Sequence, residues 1–332
     1  MSQAVAPREE STPRVRIDPA LAGNFSVVIP ALNESENIPD LFAEIGATFE
    51  KYGLDGEVIF VDDGSTDDSA EVALRESSLL KRFKLERHKR NLGKTEALVT
   101  GTRAAATDWI VLFDADLQHS PEEIPRLLEA AAAYDIVCGR KVGKYDKRMV
   151  SGIYNWLSRI AFHVPARDLN SIKIFRKEVL DDIQLRHEWH RFFVVLAHAR
   201  GYKVGEIDVE LYPRRAGEPK YGGSGRLAVG LLDLVSVWFQ LRFGRKPLLF
   251  FGVPGGILMV VGLLVGIVAI ALRMEGIGLR PLLSLTLILV ISGLALFGFG
   301  FIGELLAGQR EELRSLSRKV ERLSSERSRR NP

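Results

Sequence analysis

Trp109-Ile110-Val111-Leu112-Phe113-Asp114-Ala115-Asp116-Leu117-Gln118-His119 is an apolar run that ends abruptly in two carboxylates one residue apart, with a carboxamide just beyond. The run is too short for a free helix and reads as a buried strand. Packing gives no reason for a buried strand to deliver Asp-x-Asp to its tip. Two such acids repel each other unless a cation lies between them. Hard oxygen donors at this spacing suit Mg²⁺ or Mn²⁺, which usually arrive with substrate phosphates.

Outward from that strand the same grammar repeats. Strands are expected at 25–29, 57–61, 83–87, 109–113 and 135–139, and helices at 37–52, 69–80, 95–106 and 121–134. The helix at 37–52 shows the expected spacing through Ile38, Leu41, Phe42, Ile45 and Phe49. Alternating units of this kind predict an α/β domain with a mainly parallel sheet covered by helices. Ligands of such sheets bind beyond the C-terminal strand ends. Asp62-Asp63 and Asp114-Asp116 both fall there.

Composition bounds the rest. The 332 residues are 46% hydrophobic and 26% charged, a mixture that points to a soluble part joined to a membrane part. A net charge of +3 is too small to argue for nucleic acid. Cys138 is the single cysteine, so no intrachain disulfide is expected. Residues 1–24 are polar and read as a disordered tail rather than a signal peptide.

Residues 248–272 and 281–303 contain no charge, and each is long enough to cross a bilayer, which takes about 20 apolar residues. The short connection between them makes a transmembrane hairpin. Arg242, Arg245 and Lys246 precede it, Arg310, Arg314, Arg318 and Lys319 follow it, and its loop carries only Arg273 and Arg280. The positive-inside rule places both termini and the soluble domain in the cytoplasm, against a multi-pass anchor in the cytoplasmic membrane. Domain limits follow: a domain at 25–215, an amphipathic interfacial segment at 216–247, the hairpin at 248–303 and a C-terminal helix at 304–332. Residues 150–164 also have interfacial character. Leu313, Leu316, Val320 and Leu323 have the spacing of either a short coiled coil or an amphipathic helix lying on anionic lipid, and in the first case they offer, with the spanning helices, surfaces for a homo-oligomer.

Smaller motifs carry chemistry. Val61-Asp62-Asp63-Gly64-Ser65 sets two acids at a strand tip, where they accept hydrogen bonds from a nucleobase or ribose or simply hold a turn. Pro30-Ala31-Leu32-Asn33-Glu34 ends the first strand and borders the same space. Asn91-Leu92-Gly93-Lys94 invites a phosphate-loop reading, but His88 stands where that motif needs glycine, so Lys94 is either a diphosphate contact or a surface lysine. His187 and His190 lack an evident third metal ligand.

In this order, Ile29 to Glu34, Val61 to Ser65, Asn91 to Lys94 and Asp114 to His119 resemble family 2 glycosyltransferases. These have the GT-A fold, a Rossmann-like sheet. More narrowly the chain resembles the dolichyl- and polyprenyl-phosphate sugar synthases, from about residue 25 through the second span. The resemblance implies that Pro30, Ala31, Glu34 and Asp63, with Asp62 and Lys94 beside them, hold the nucleotide of a nucleotide-sugar donor. It implies that Asp114, Asp116 and Gln118 form the metal and diphosphate site. Arg148 and Arg167, with Ser171, match segments that receive a lipid phosphate, and Lys220 matches a Lys-Tyr-Gly element. Two departures stand out: Ser171-Ile172-Lys173 is one residue short of the usual pattern, and Glu218-Pro219 precedes Lys220 in place of serine.

The implied reaction is inverting transfer of a sugar from a UDP- or GDP-linked donor to polyprenyl phosphate. A phosphate acceptor is already anionic near neutral pH, its second pKa being about 6, so it needs little general-base help. Arg148 and Arg167 would orient it, and the metal would offset charge on the departing diphosphate. The alternatives are transfer to a lipid or polysaccharide hydroxyl, and a non-catalytic membrane-anchored nucleotide-binding scaffold.

Overall fold

A computed structural model of the chain describes residues 15–142, 162, 164–183, 185, 186, 189–215, 225–244, 246–278 and 280–330. The chain divides into two compact units, Met1–Leu231 and Leu232–Pro332.

The first unit is built on seven strands: β1 Phe25–Ala31, β2 Glu57–Asp62, β3 Phe83–Arg87, β4 Trp109–Leu112, β5 Ile136–Val142, β6 Lys173–Arg176 and β7 Val204–Glu210. Their order is β3-β2-β1-β4-β6-β5-β7. All pairings are parallel except those of β6, which runs antiparallel between β4 and β5. The mainly parallel sheet is as expected; the inserted β6 and the β7 edge are not among the expected strands. β1, β2 and β4 are buried along almost their whole length, as parallel strands covered on both faces must be.

Helices α1 Ile38–Tyr52, α2 Ser69–Glu76, α3 Lys94–Ala104 and α4 Glu123–Ala131 follow the first four strand tips, and α5 Lys177–Asp182 and α6 Phe193–His198 come later. α1 buries the predicted stripe, Ile38, Leu41, Phe42, Ile45 and Phe49, and stops at Gly53 with φ 63°. Its rings meet the sheet edge-on, Phe49 at 5.4 Å from Phe25 and Phe42 at 5.9 Å from Phe60. Each such buried side chain contributes roughly 1.5–3 kcal/mol.

The chain runs from β1 outward to β3, then returns to place β4 on the other side of β1. The β1/β4 boundary is therefore the switch point of the sheet, where strand ends leave a crevice. Ala31 to Glu34 and Phe113 to Gln118 form its two lips.

Toward the C-terminus, α7 Gly225–Phe243 leads to α8 Pro247–Met274 and α9 Arg280–Arg330. α8 and the first part of α9 are long and apolar enough to cross a membrane. They pack by their glycines: a Cβ on Gly255 would lie 2.7 Å from Gly293 O, and one on Gly293 would lie 2.6 Å from Gly255 O. Such contacts let two backbones approach closely, as in membrane helix pairs. Glu304 Oε2 accepts a hydrogen bond from Leu248 N (3.3 Å) in the first turn of α8. α9 continues unbroken through residues 303 and 304, where hydropathy alone divides it.

Candidate active site

Parallel strands end with their last carbonyls and the following turns facing the crevice, so short polar residues at those tips decide its chemistry. The lip after β1 turns at Asn33, which takes φ 52°. Asn33 N donates to Ser65 Oγ (2.9 Å), and Asn33 Oδ1 accepts from Thr66 N (2.7 Å), tying the β1 lip to the turn after β2. Glu34, nearly buried, receives Asn37 Nδ2 (2.7 Å).

The two acids at the end of β2 face different ways. Asp62 is fully buried; its Oδ1 accepts from Ser65 N (2.8 Å) and its Oδ2 pairs with Arg87 Nε (3.0 Å). Asp63 receives Leu92 N (2.9 Å) on Oδ1 and Gly93 N (2.8 Å) on Oδ2, while His88 bridges Asp63 Oδ1 (2.7 Å) and Thr100 Oγ1 (2.9 Å). Both carboxylates thus hold backbone, Asp62 its own turn and Asp63 the loop that delivers Lys94. Gly93 takes φ 93° as α3 starts at Lys94.

At the β4 tip, Lys94 Nζ donates to Asp114 Oδ1. Burial pushes the Asp114 carboxyl up, but the charge and hydrogen bond of Lys94 overcome it, with help from Lys173, and hold it well below the usual carboxylate range. Asp116 goes the other way. Burial and then the Asp114 charge push its carboxyl up, and Arg214 opposes them. Asp116 Oδ2 accepts from Arg214 Nη2 (2.7 Å) and Oδ1 from Gln118 N (3.2 Å). Arg214 Nη1 also stands 3.9 Å from Glu34 Oε1.

Beneath the tip lies a polar cluster from the other side of the sheet. His119 Nδ1 donates to Glu210 O (3.3 Å), and its Nε2 lies 3.4 Å from Ser171 Oγ. Burial drives its imidazole down to about 4. Lys173, on β6, is buried and donates to Ser171 O (2.8 Å); burial lowers its ammonium too. His190 contacts Thr95 at the start of α3, with 3.1 Å from Nδ1 to Oγ1, and burial pushes its imidazole well below the usual range.

Of the residues expected to act, Pro30, Ala31, Glu34, Asp62, Asp63, Lys94, Asp114, Asp116 and Gln118 gather at the tips of β1, β2 and β4. Ser171 lies just before β6, beneath them. Arg167 is exposed, its backbone N bonded to Glu206 Oε1 (2.5 Å). Arg148 and Lys220, residues 150–161 and His187 lie outside the described residues. Arg214 is the site residue that the sequence reading lacks. Its only local signal is a pair of arginines, Arg214-Arg215, directly after Pro213 at the end of an acidic strand.

Two carboxylates and an amide one turn apart are hard oxygen donors. No group of three His, Cys, Asp or Glu side chains able to hold a metal occurs among the described residues. That donor set fits Mg²⁺ or Mn²⁺, which are bound through one or two carboxylates and completed by substrate phosphates, and it does not fit a closed zinc site. Burial and the Asp114 charge both disfavour a second negative charge at Asp116, and Arg214 offsets them in part.

Comparison with known proteins bears on the family and the fold. Residues 26–197 match the glycosyl transferase family 2 domain. The dodecaprenyl-phosphate galacturonate synthase of Rhizobium johnstonii is 31% identical over 87% of this chain and 89% of its own length. The undecaprenyl-phosphate 4-deoxy-4-formamido-L-arabinose transferase of Pectobacterium carotovorum is 31% identical over 76% of this chain and 77% of its own. Among solved structures, glucosyl-3-phosphoglycerate synthase from Mycobacterium tuberculosis, crystallised with Mg²⁺ and uridine diphosphate, superposes with a TM-score of 0.53 at 21% identity. That match covers 65% of this chain and 81% of the other.

Proposed function

This chain belongs to glycosyl transferase family 2, and from that premise we propose that it transfers a sugar from a UDP- or GDP-linked donor to a polyprenyl phosphate at the cytoplasmic face of a membrane. One observation carries the acceptor: similarity to a dodecaprenyl-phosphate synthase extends over 87% of the chain, far beyond residues 26–197 and into the apolar helices. A synthase working on a soluble acceptor has no need of those helices.

The nucleotide would lie along the lip formed by Pro30, Ala31 and Glu34, over the turn that Asp62 and Asp63 hold rigid. Lys94, which pairs with Asp114, would contact the diphosphate. Asp114, Asp116 and Gln118 would hold Mg²⁺ or Mn²⁺, which when bound supplies positive charge against the leaving nucleoside diphosphate. Arg167, with Ser171, and Arg148 and Lys220, which the family pattern adds, would receive the acceptor phosphate. Phosphate oxygens are anionic at neutral pH and attack without a protein base. Residues of this chain therefore bind, orient and exclude water. One displacement at the anomeric carbon inverts it.

The test is a panel of radiolabelled UDP- and GDP-sugars given to the solubilised full-length protein with Mg²⁺ or Mn²⁺ and polyprenyl phosphate. One donor should yield a labelled, acid-labile lipid. Asp116→Asn should cut that transfer by on the order of a hundredfold or more. Transfer to a lipid alcohol but not to its phosphate would overturn the acceptor, and near-normal transfer by the Asp116 variant would overturn the metal assignment.

A further inference from the structure

After β7 the chain stays bound to the site. Glu210 O accepts from His119 Nδ1 (3.3 Å), and Tyr212 N donates to Gln118 O (2.8 Å). Arg214 reaches Asp116 at 2.7 Å, and Arg215 Nη1 reaches Glu44 Oε1 on α1 at 2.6 Å. Residues 210–215 thus strap the loop after β4 to the first helix. Three of these anchors leave the crevice carboxylates alone. The fourth occupies one of them.

Both oxygens of Asp116 carry a donor, Gln118 N on Oδ1 and Arg214 Nη2 on Oδ2. A divalent ion binds a carboxylate oxygen at about 2.0–2.1 Å when it is Mg²⁺. A guanidinium on the same oxygen cannot be deprotonated to make way, and two cations there repel across a partly buried site. Arg214 has a second acceptor within reach, since Glu34 Oε1 stands only 3.9 Å from Nη1.

We propose that Arg214 is the resident counter-ion of Asp116, that a divalent cation must displace it, and that Glu34 receives the displaced guanidinium. This rests on the reading of Asp114 and Asp116 as metal holders. Arg214 is then a positioning residue that weakens metal binding when no nucleotide is present. It keeps two adjacent carboxylates from capturing a cation before the donor brings its own phosphates. Linkage makes the effect mutual: whatever the arginine costs the metal, the metal costs the ion pair.

Free Mn²⁺, measured by electron paramagnetic resonance with detergent-solubilised full-length protein and no nucleotide, tests this directly. Arg214→Gln should tighten Mn²⁺ binding by about five- to tenfold, the size of a partly exposed charge pair. Arg214→Lys, which keeps the charge, should stay close to wild type, and Asp116→Asn should lose the site. Unchanged or weaker binding by Arg214→Gln, with Asp116→Asn still defective, overturns the counter-ion role and leaves the metal reading standing. Equal tightening by Arg214→Lys overturns it as well, since loosening of the strap rather than charge would be the cause. Wild-type affinity in Asp116→Asn removes the metal reading, and this proposal with it. The wild type supplies a measurement that needs no variant. Mn²⁺ should speed tryptic cleavage of the Arg214–Arg215 bond, resolved by peptide mass, and unchanged or slower cleavage counts against displacement.

Discussion

Asp114 and Asp116 are chemically identical and two residues apart, yet the fold pushes their carboxyls in opposite directions. Lys94 neutralises the first, and the second, facing the charge of the first, depends on Arg214. The Asp-x-Asp spacing is legible in the sequence because the two acids are neighbours on one strand end. Arg214 is not, because it meets Asp116 across 98 positions of chain. A second residue, His119, makes a prediction of its own. Burial disfavours its charged ring and pushes the imidazole down to about 4 from an ordinary value of 6.5. Between those pH values the unfolded chain takes up a proton that the folded chain refuses. Stability is therefore intact above pH 6.5 and falls as the pH drops toward 4, by roughly 3 kcal/mol for this group. Buried His190 adds in the same direction. Thermal melts across this window should show the loss, and His119→Asn, which keeps a donor for Glu210 O, should flatten the slope.

Elements build the site through turns more than through helices. The strands β1 to β5 and helices α1 to α4 were legible because their apolar spacing is local. β6 was not: Lys173-Ile-Phe-Arg176 is four residues long with a cation at each end, and it is a strand only because β4 and β5 flank it. The shortened Ser171-Ile172-Lys173 pattern leads straight into it, carrying Lys173 into the interior. Among the turns, Gly64 is decisive. It takes φ 74°, and a Cβ there would stand 2.4 Å from Arg90 C and 2.6 Å from Asn91 N. The turn after β2 can rest on the loop before Lys94 only without a side chain. Gly64→Ala should cost about 3 kcal/mol or more, combining left-handed strain with a backbone clash. Urea melts should show that loss, and calorimetry should show weakened nucleoside diphosphate binding, since the same turn supports Asp62 and Asp63.

For the whole molecule, the proposed site of the chemistry rests on the two long apolar helices. Their flanks carry Arg242, Arg245, Lys246 and Arg310, against Arg273 and Arg280 in the loop between them. From that bias we propose that the loop lies outside and the ends inside. Cys138 is fully buried, so an introduced cysteine can be read against a quiet background. Gly278→Cys, in open space, should react with a membrane-impermeant maleimide in intact cells, and Glu311→Cys only after permeabilisation. The reverse pattern would place the active site on the wrong side for a nucleotide-sugar. The amino-acid sequence by itself determined the two long apolar helices, the core strands, the α/β class and the acids at the strand tips. Each of these depends on spacing within a few residues, where burial of one face or one run sets the free energy. Tertiary structure alone decided the insertion of β6, the inward turn of Asp62, the backbone-holding work of Asp63, and which cation answers which carboxylate. Those pairings join residues far apart in the chain, and only closure of the fold brings their charges within range of one another.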